Sequence, residues 1–397
     1  MHIRRLHLSG YRNFERLDLE LNRGVSIIVG DNAQGKSNLL EAVYLLATMR
    51  GLRAETDAQL IRRESLDGVL PAARVVAEAE TAEGPLKLEV AIVSRPGPQG
   101  PIGTKTVKVN GVARRLSDAV GRLTAVLFTA EDLELITGSP SDRRRFLDVM
   151  LAQVESAYSS ARSRYERVLL QRNHLLKRIR EGEAQRDELA FWDEELARDG
   201  ALLVHRRAVA LAELASVAAA VHGQLASGDL LEIRYQPRLD GERLDFSTES
   251  IEDTVAACSA ALRRSLNRDI AAGMTLQGPH RDDILINLNG LGAAGYASRA
   301  QLRTIALALR LAEARLLTSR RGEPPVLLQD DILSEMDAGR RESVLGAGAG
   351  TEQMLVTGTD WDRFPSEFRA GTTMFEVDGG LLRPLLTGVS GPRIVGS

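Results

Sequence analysis

The spacing of apolar and polar residues changes several times along the chain, and each spacing predicts a different element. Near the N-terminus, leucines at alternate positions within 17–21 are separated by acidic residues, which is the period of a half-buried β-strand. Residues 74–113 show the same alternation and include Asn110–Gly111, a pair that favours a tight hairpin turn. The pattern therefore predicts an antiparallel β subdomain over 74–113.

The middle of the chain has a helical spacing instead. Apolar residues between Val154 and Ile179 recur mostly at alternating steps of three and four residues, as in the seam of a coiled coil. The polar segment 181–183 predicts a turn, and a second helical stretch follows at about 187–226. We therefore expect a helical lobe at 131–274 that contains a short coiled-coil-like hairpin.

Strand and helix patterns alternate again from residue 275 to the end of the chain. Strand-rich segments at both ends of a chain, with helices between them, are typical of one α/β domain that is interrupted by an insertion. The predicted organisation is therefore a split α/β domain, built from 1–130 and 275–397, with the helical lobe 131–274 inserted.

Composition narrows the classes of protein that fit this pattern. The chain has 397 residues, of which 44% are hydrophobic and 26% charged, so it is long enough for two or three domains of ordinary globular composition. The single cysteine, Cys258, suits a reducing cytosol. The sequence has neither an N-terminal signal segment nor an apolar run near the ~20 residues of a membrane span, so we expect a cytoplasmic protein without a membrane partner. Because the formal net charge is −3, any nucleic-acid surface must be local.

Residues 30–37, GDNAQGKS, match the phosphate-binding pattern G-x-x-x-x-G-K-[ST]. An apolar strand pattern precedes this P-loop and a helical pattern follows it, as the motif requires. Lys36 would reach the β- and γ-phosphates of ATP, and Ser37 would bind Mg²⁺. The alternative is a strand–helix turn with a solvated lysine. The predicted nucleotide-binding residues are Gly30, Asp31, Asn32, Ala33, Gln34, Gly35, Lys36, Ser37 and Asn38.

Asp330 and Asp331 follow the apolar strand pattern VLLQ at 326–329. Asp330 is placed like a Walker B acid, which would hold Mg²⁺ together with Ser37. Asp331 would orient or deprotonate the attacking water, so Asp331 and Lys36 are the predicted catalytic residues. The alternative is a strand that ends in two solvated acids. Lys36 and Asp330 are separated by 294 positions, a gap that is typical of ABC-type and SMC-type ATPases, whose heads assemble from both chain ends.

An S-x-x-Q capping box at 298–301 opens a long helical pattern just before that strand. Its position matches the ABC-type signature, which contacts the γ-phosphate held by a second protomer. The alternative is only a well-capped helix. The predicted signature residues are Ser298, Arg299, Ala300 and Gln301. Ala300 stands where ABC-type ATPases usually have glycine. The methyl group of alanine would hinder close approach of the backbone to the phosphate, and this would weaken an ATP-held homodimer.

Four stretches resemble the RecF family of bacterial recombination and gap-repair ATPases. They are GDNAQGKSNLLEAVYLLA at 30–47, EDLELITGSPSDRRRFLD at 131–148, QGPHRDDI at 277–284 and LLQDDILSEMDAGRRESVL at 327–345. Together with LHLSGYRNF at 6–14, they span nearly the whole chain in the expected order. The resemblance implies an α/β fold, an ABC-type P-loop ATPase head with an antiparallel β subdomain and an inserted α-helical lobe.

The resemblance also implies a function. A RecF-like protein would be a homodimer that binds double-stranded DNA when ATP is bound and hydrolyses ATP slowly as a switch. It would work with RecR, RecO and RecA at single-strand gaps, in the cytoplasm and close to the nucleoid. The residues that resemble the D-loop, which crosses to the opposite subunit, are Ser334, Glu335 and Asp337.

Basic residues cluster in the predicted lobe, where 160–180 holds seven arginines and lysines and one acid. Clustered arginine suits phosphate contacts, although a single run of this kind is more often a solvated helix face. Together with the family resemblance, the cluster predicts contacts with duplex DNA. The predicted DNA-binding residues are Arg143, Arg144, Arg145, Arg162, Arg164, Arg172, Lys177 and Arg178.

Two other functional classes stay open. An SMC-like chromosome-associated ATPase would carry coiled coils of hundreds of residues, whereas this insertion has roughly 140. A P-loop kinase or small-molecule NTPase would need a pocket for an acceptor substrate, and DNA would not stimulate its activity. Among single residues, His280 and Arg281 have both a structural and a functional interpretation, and Thr357 and Thr359 are candidate γ-phosphate sensors.

Overall fold

The computed structural model divides the chain into two compact units. The first comprises Met1–Asp132 and the described part of Glu313–Ser397, and the second comprises Leu133–Ala312. The structure describes residues 1–65, 71–97, 101–226, 228–241, 245–331, 346, 351–361, 364, 366–369 and 371–385.

The N-terminal part of the first unit contains eight strands among its described residues. In chain order the elements are β1 (His2–Tyr11), β2 (Phe14–Glu20), β3 (Gly24–Val29), α1 (Lys36–Thr48), β4 (Ala72–Thr81), β5 (Gly84–Arg95), β6 (Ile102–Val109), β7 (Val112–Arg114), α2 (Leu116–Ala119) and β8 (Ala125–Phe128).

Six of these strands form an antiparallel sheet in the order β2-β1-β4-β5-β6-β7. Leu6 of β1 lies opposite Leu19 of β2 and Ala77 of β4, and all three side chains are buried. The predicted antiparallel subdomain is therefore confirmed. It also takes in β1 and β2, because their alternate apolar residues complete the same buried face.

The second unit is mostly helical. Its elements are α3 (Glu134–Thr137), α4 (Pro140–Val154), α5 (Ser156–Arg180), α6 (Ala190–Leu225), β9 (Leu231–Gln236), α7 (Ile251–Ala272), β10 (Asp283–Leu288), β11 (Leu291–Gly292), α8 (Ala293–Tyr296) and the start of α9 (Arg299–Arg321).

Helices α5 and α6 form the hairpin that the coiled-coil-like spacing predicts. Arg164 of α5 is paired with Asp199 of α6, and Arg172 with Asp193, so the two helices run antiparallel. A buried cluster lies near the turn of the hairpin and is made of Leu175, Leu176, Leu189 and Ile270. Because Ile270 belongs to α7, this cluster fixes the hairpin to the rest of the second unit.

The second unit extends beyond the predicted lobe 131–274. Strand β9 pairs with β10 in a sheet of order β11-β10-β9, with Ile233 opposite Ile286. The predicted boundary would separate these two strands, which share backbone hydrogen bonds. The structural boundary therefore lies at Ala312.

Buried charges join α4, α6 and the segment before β10. Arg207 donates from Nη2 to Asp148 Oδ1 at 2.8 Å and from Nη1 to the Pro279 carbonyl at 2.6 Å. Asp282, which is fully buried, lies 3.3 Å from Arg207 Nη1 and accepts a hydrogen bond from the Tyr235 hydroxyl. Buried charges are costly unless they are paired and hydrogen-bonded, and this network supplies the partners.

His280 takes part in this packing through both ring nitrogens. Nε2 lies 3.0 Å from the Thr275 carbonyl, which can only accept, so Nε2 carries the proton and Nδ1 accepts from the Tyr165 hydroxyl at 2.7 Å. Burial lowers the pKa of His280 to about 4. These contacts favour the structural interpretation of His280. Arg281, whose role also stayed open, is exposed and donates to Met274 Sδ.

Protonation of His280 is expected to weaken the second unit at low pH. The folded-state pKa of about 4 lies below the ordinary value of 6.5, so the unfolded chain binds more protons between these values. The contribution of His280 to stability is therefore complete above about pH 6.5 and is lost as the pH falls toward 4. Urea unfolding at pH 7 and pH 4.5 should show a smaller pH effect in His280→Asn than in the wild type. An equal pH effect in both proteins would contradict this assignment.

Residues 186–225, which include α6, are long and apolar enough to cross a membrane by length and composition alone. In the structure, α6 packs against α5, α7 and β9, and Leu203, Leu211 and Leu214 are buried in these contacts. The same helix carries Arg207 in the buried ion network. This combination is typical of a core helix within a folded unit.

The chain returns to the first unit through α9. The elements that follow are β12 (Val326–Gln329), β13 (Gln353–Gly358), α10 (Ser366–Arg369), β14 (Thr373–Asp378) and β15 (Leu381–Leu385). With β3 and β8 these strands form a second six-stranded sheet, of order β15-β14-β3-β13-β12-β8, in which all neighbours except β14 and β15 are parallel. Because the carboxyl ends of parallel strands lie at one edge, the loop after β3 and the residues after β12 and β13 meet there.

Candidate functional site

The loop between β3 and α1 has the backbone shape that the P-loop motif requires. Gly35 has φ 114° and Ala33 has φ 67°. A Cβ atom at Gly35 would lie 2.4 Å from the side-chain nitrogen of Asn13, and one at Gly30 would lie 2.3 Å from the Val377 carbonyl oxygen. Gly30 is therefore needed for close packing against the backbone of β14, and Gly35 for the left-handed turn of the loop.

Two turns distant in sequence hold this loop in place. Asn13, in the turn between β1 and β2, donates to the Gln34 carbonyl at 2.8 Å and accepts from the Asn38 amide at 2.8 Å. In the turn between β14 and β15, the Gly380 N–H donates to the same Gln34 carbonyl at 3.2 Å, and the Gly379 N–H donates to the Gln34 side chain. Asn13 was not among the predicted site residues; the one signal for it was its place in the stretch RNF within the family resemblance.

Lys36 lies at the first position of α1 with its side chain turned back over the loop. Its Nζ donates to the carbonyls of Gly30 and Asp31, the latter at 2.8 Å, and the residue is only 6% exposed. Burial lowers the pKa of Lys36, and the carboxylates of Asp331, Asp330 and Asp31 counteract that shift. The ammonium group is thus held within the loop at the point where the motif places phosphate.

Asp330 lies at the edge of the sheet beside the P-loop. Its Oδ1 accepts from Ser37 Oγ at 2.8 Å, and Thr357 Oγ1 lies 3.0 Å from the same oxygen. Thr357 lies one residue before the end of β13, the strand between β3 and β12, so it contacts Asp330 from the neighbouring strand. The Asp331 N–H donates to Thr357 Oγ1 at 3.0 Å. The structure therefore brings together the two predicted metal ligands and places Thr357 against both aspartates.

Arg53 lies near Oδ2, the second carboxylate oxygen of Asp330. Arg53 Nη2 is 3.9 Å from Asp330 Oδ2 and 2.6 Å from Glu131 Oε1. The backbone N–H groups of Leu52 and Arg53 donate to Glu41 of α1 at 2.9 and 3.4 Å, which fixes the segment that carries Arg53. Sequence patterns did not point to Arg53 or Glu131 as part of this edge.

The chemistry of these groups fits a magnesium–nucleotide complex. A serine hydroxyl and a carboxylate are hard oxygen ligands, and Mg²⁺ in nucleotide sites is usually held by few protein oxygens together with phosphates and water. Within the described part of the chain, no group of three or more His, Cys, Asp or Glu side chains is arranged to hold a metal ion. Ser37 and Asp330 would hold Mg²⁺ here, and the N–H groups of the P-loop with Lys36 would hold phosphate oxygens.

The capping box predicted at the start of α9 is present. The Ser298 N–H donates to Gln301 Oε1 at 2.9 Å, and the Gln301 N–H lies 3.3 Å from Ser298 Oγ. Ser298, Arg299 and Ala300 are exposed. The signature role of these residues in a second protomer stays a prediction. The D-loop residues Ser334, Glu335 and Asp337 lie outside the described residues.

Several of the predicted DNA-binding residues in the second unit already have carboxylate partners. The pairs are Arg143–Asp283, Arg162–Asp148 and Arg164–Asp199, with N–O distances of 2.7, 3.3 and 2.6 Å. Arg144 donates to the Asp282 carbonyl at 2.6 Å and Arg178 to the Glu183 carbonyl at 3.2 Å, while Arg145 and Lys177 are exposed. Contacts between these residues and DNA stay a prediction.

The prediction that Arg172 contacts DNA is wrong. Its side chain is fully buried and pairs with Asp193 at 2.7 Å and Asp269 at 2.8 Å. The arginine that interrupts the apolar seam of α5 is therefore an internal ion-pair residue that joins α5, α6 and α7. A charge count along the sequence does not reveal this, because Asp269 lies 97 positions away.

Comparison with known proteins shows which family this chain resembles. Residues 2–364 match the family described as RecF/RecN/SMC N terminal domain. The chain is 41% identical, over 396 residues, to the DNA replication and repair protein RecF of Roseiflexus castenholzii, covering 97% of this chain and 100% of the relative. It is 40% identical to the protein of the same name from Herpetosiphon aurantiacus, with 97% and 100% covered.

The chain belongs to the RecF family. A solved structure described as the recombination mediator protein RecF-ATP in the RecFOR pathway agrees with that assignment. It matches with a TM-score of 0.84 at 30% sequence identity and covers 97% of this chain and 98% of the other. The expected fold, an ABC-type ATPase head of mixed α/β structure with an antiparallel sheet and a helical lobe, is thereby confirmed. The chain is a RecF-type repair ATPase in fold and family.

Proposed function

We propose that this RecF-family chain is an ATP-dependent double-stranded DNA-binding protein of recombinational gap repair. The observation that carries the proposal is the meeting of Ser37 and Asp330, 293 residues apart in sequence, at one hydrogen bond of 2.8 Å beside the P-loop. Such an arrangement serves a magnesium–nucleotide complex, and in the RecF family it serves DNA repair. The cofactors are ATP and Mg²⁺.

The chemistry proposed for this site is ATP hydrolysis. Lys36 and the loop N–H groups would hold the phosphates, and Ser37 and Asp330 would hold Mg²⁺, whose charge would offset the charge that develops on the phosphoryl oxygens. Asp331 stands next to Asp330 and accepts a proton from the attacking water or orients it. Hydrolysis is slow and stimulated by DNA, so that it works as a timing switch.

The active form proposed is a homodimer that ATP holds together around duplex DNA as a clamp. The exposed signature residues at the start of α9 support it, because a surface that contacts the nucleotide of another protomer must be open in the single chain. Ser334, Glu335 and Asp337 would contact the partner subunit. RecR, RecO and RecA are the proposed protein partners, and the proposed location is the cytoplasm, close to the nucleoid.

Replacement of Lys36 by alanine tests the nucleotide part of the proposal. The loss of one charge-assisted contact to phosphate is expected to weaken ATP binding by ~10- to 100-fold and to abolish the effect of ATP on DNA affinity. Lys87→Ala is the matched control, because Lys87 lies in the same unit, pairs with Glu78 on the surface and is half exposed. Binding of a fluorescent ATP analogue measures the first effect. ATP affinity equal to that of Lys87→Ala would contradict the site.

A further inference from the structure

The edge of the antiparallel sheet carries a basic segment that the sequence patterns did not single out. Residues 94–117 contain five arginines and lysines and no acid, in a chain whose net charge is −3. Within this segment, β6 and β7 form a hairpin, which turns at Asn110–Gly111 and ends the sheet. We call it the basic hairpin.

The side chains of the basic hairpin are mostly in solvent. Residues 110–116 are all exposed, and Lys108 has an exposed side-chain fraction of 52%. Lys108 lies opposite Ala113, and Arg114 lies opposite Val107, so the two cations are at neighbouring rungs of the ladder. Residues on neighbouring rungs project from opposite faces, so Lys108 and Arg114 lie on the two sides of the hairpin, and Arg115 follows β7.

One cation of the hairpin, Lys105, contacts other parts of the first unit instead of solvent. Lys105 is nearly buried, pairs with Asp57 at 2.7 Å and donates to the Met49 carbonyl at 2.7 Å. It therefore anchors the base of the hairpin to the first unit. An anchored base holds the outer cations in a defined position, which lowers the entropy lost when they bind a ligand.

The exposed cations of the basic hairpin have fewer ion pairs than the predicted DNA-binding arginines of the second unit. Arg143, Arg162 and Arg164 are paired with carboxylates. Arg114 and Arg115 have no ion pair with any residue that the structure describes, and Lys108 has only a loose one, 3.8 Å from Glu89. Unpaired exposed cations can bind phosphate without first breaking an internal salt bridge.

We propose that the basic hairpin, through Lys108, Arg114 and Arg115, binds the phosphate backbone of double-stranded DNA. This inference rests on the proposed function, since it names the surface through which the duplex is held. A duplex is favoured over a single strand because 94–117 contains no aromatic residue on which bases could stack.

Edge protection is the competing role for these charges. Basic residues on an edge strand also prevent pairing with other sheets, and β7 is a short edge strand of this kind. The two roles differ in what their loss changes. Loss of edge protection causes association of the protein, whereas loss of phosphate contacts lowers DNA affinity and its dependence on salt.

The test compares the double variant Arg114→Ser/Arg115→Ser with Arg198→Ser/Arg268→Ser. The control arginines lie in the second unit, are 59% and 58% exposed, and pair with Glu195 and Asp240. Anisotropy of a labelled duplex, with ATP present, gives the affinity at several salt concentrations. The hairpin variant should bind about 10-fold more weakly, with a salt slope smaller by about 2, and the control should match the wild type. Arg114→Lys/Arg115→Lys should restore most of the affinity.

Three results would overturn the inference. The first is a hairpin variant whose affinity and salt slope equal those of the wild type. The second is a variant that associates, by light scattering, while its monomeric fraction binds DNA normally, since that outcome assigns the charges to edge protection. The third is a wild type that binds no duplex, which overturns the proposed function together with this surface, whereas the first two leave the proposed function standing.

Discussion

Asp331→Asn is expected to retain ATP binding while ATP hydrolysis falls about 100-fold or more, because the residue proposed to activate water is lost. Asparagine has the same shape and tolerates the positive φ of 51° that Asp331 adopts. Its N–H can still donate to Thr357 Oγ1, as in the wild type. The substitution therefore removes a charge and a base without removing a backbone contact.

The same variant should accumulate as an ATP-bound dimer, since hydrolysis, which is proposed to release the dimer, is slowed. Phosphate release measures hydrolysis, and light scattering with ATP measures the dimer. Asp118→Asn is the control, because Asp118 is an exposed acid in α2 of the same unit. Full turnover in Asp331→Asn would assign the base to another residue, and slow turnover without a dimer would separate hydrolysis from assembly.

Arg207→Met is expected to lower the free energy of unfolding of the second unit by about 3–5 kcal/mol, since it leaves the buried Asp282 without its ion-pair partner and Asp148 with only the partly exposed Arg162. The Arg207 side chain is only 4% exposed and reaches both carboxylates. Burial already raises the pKa of Asp282, and removal of the guanidinium takes away the main charge that opposes this shift. Methionine keeps much of the volume, so the effect measures the lost charge rather than a cavity.

Trp192 lies in the second unit and Trp361 in the first, so Trp361→Phe leaves one fluorescent reporter for urea unfolding. In that background, Arg198→Met is the control, because Arg198 pairs with Glu195 on the surface and should change stability by less than about 1 kcal/mol. The second change Asp148→Leu should restore part of the stability lost in Arg207→Met. An Arg207→Met variant as stable as the control would show that the network does not hold the unit together.

Local patterns in the sequence predicted the local parts of the structure. The P-loop, the capping box at Ser298 and the α5–α6 hairpin each depend on residues a few positions apart, and each is present. The alternation of β4 to β6 also predicted the antiparallel sheet, because a strand with one buried face repeats every two residues.

Contacts between distant residues were not predictable from those patterns. Gln34 is held by a turn 345 positions away, and Arg143 is paired with an aspartate 140 positions away. A run of arginines has the same sequence pattern whether its side chains face solvent or internal carboxylates. For this reason the charge pattern wrongly predicts that Arg172 contacts DNA. The boundary at Ala312 was not predictable for the same reason. It depends on the pairing of β9 with β10, and α7 separates these strands in sequence.

In the proposed function, ATP bound at Lys36, Ser37 and Asp330 controls the affinity of the protein for duplex DNA. The most direct measurement is the anisotropy of a labelled duplex titrated with the wild-type protein in the presence of Mg²⁺ and ATP, of Mg²⁺ and ADP, and of Mg²⁺ alone. Tight binding with ATP and weak binding in the other two conditions is the predicted result. Equal affinity in all three conditions would contradict the account.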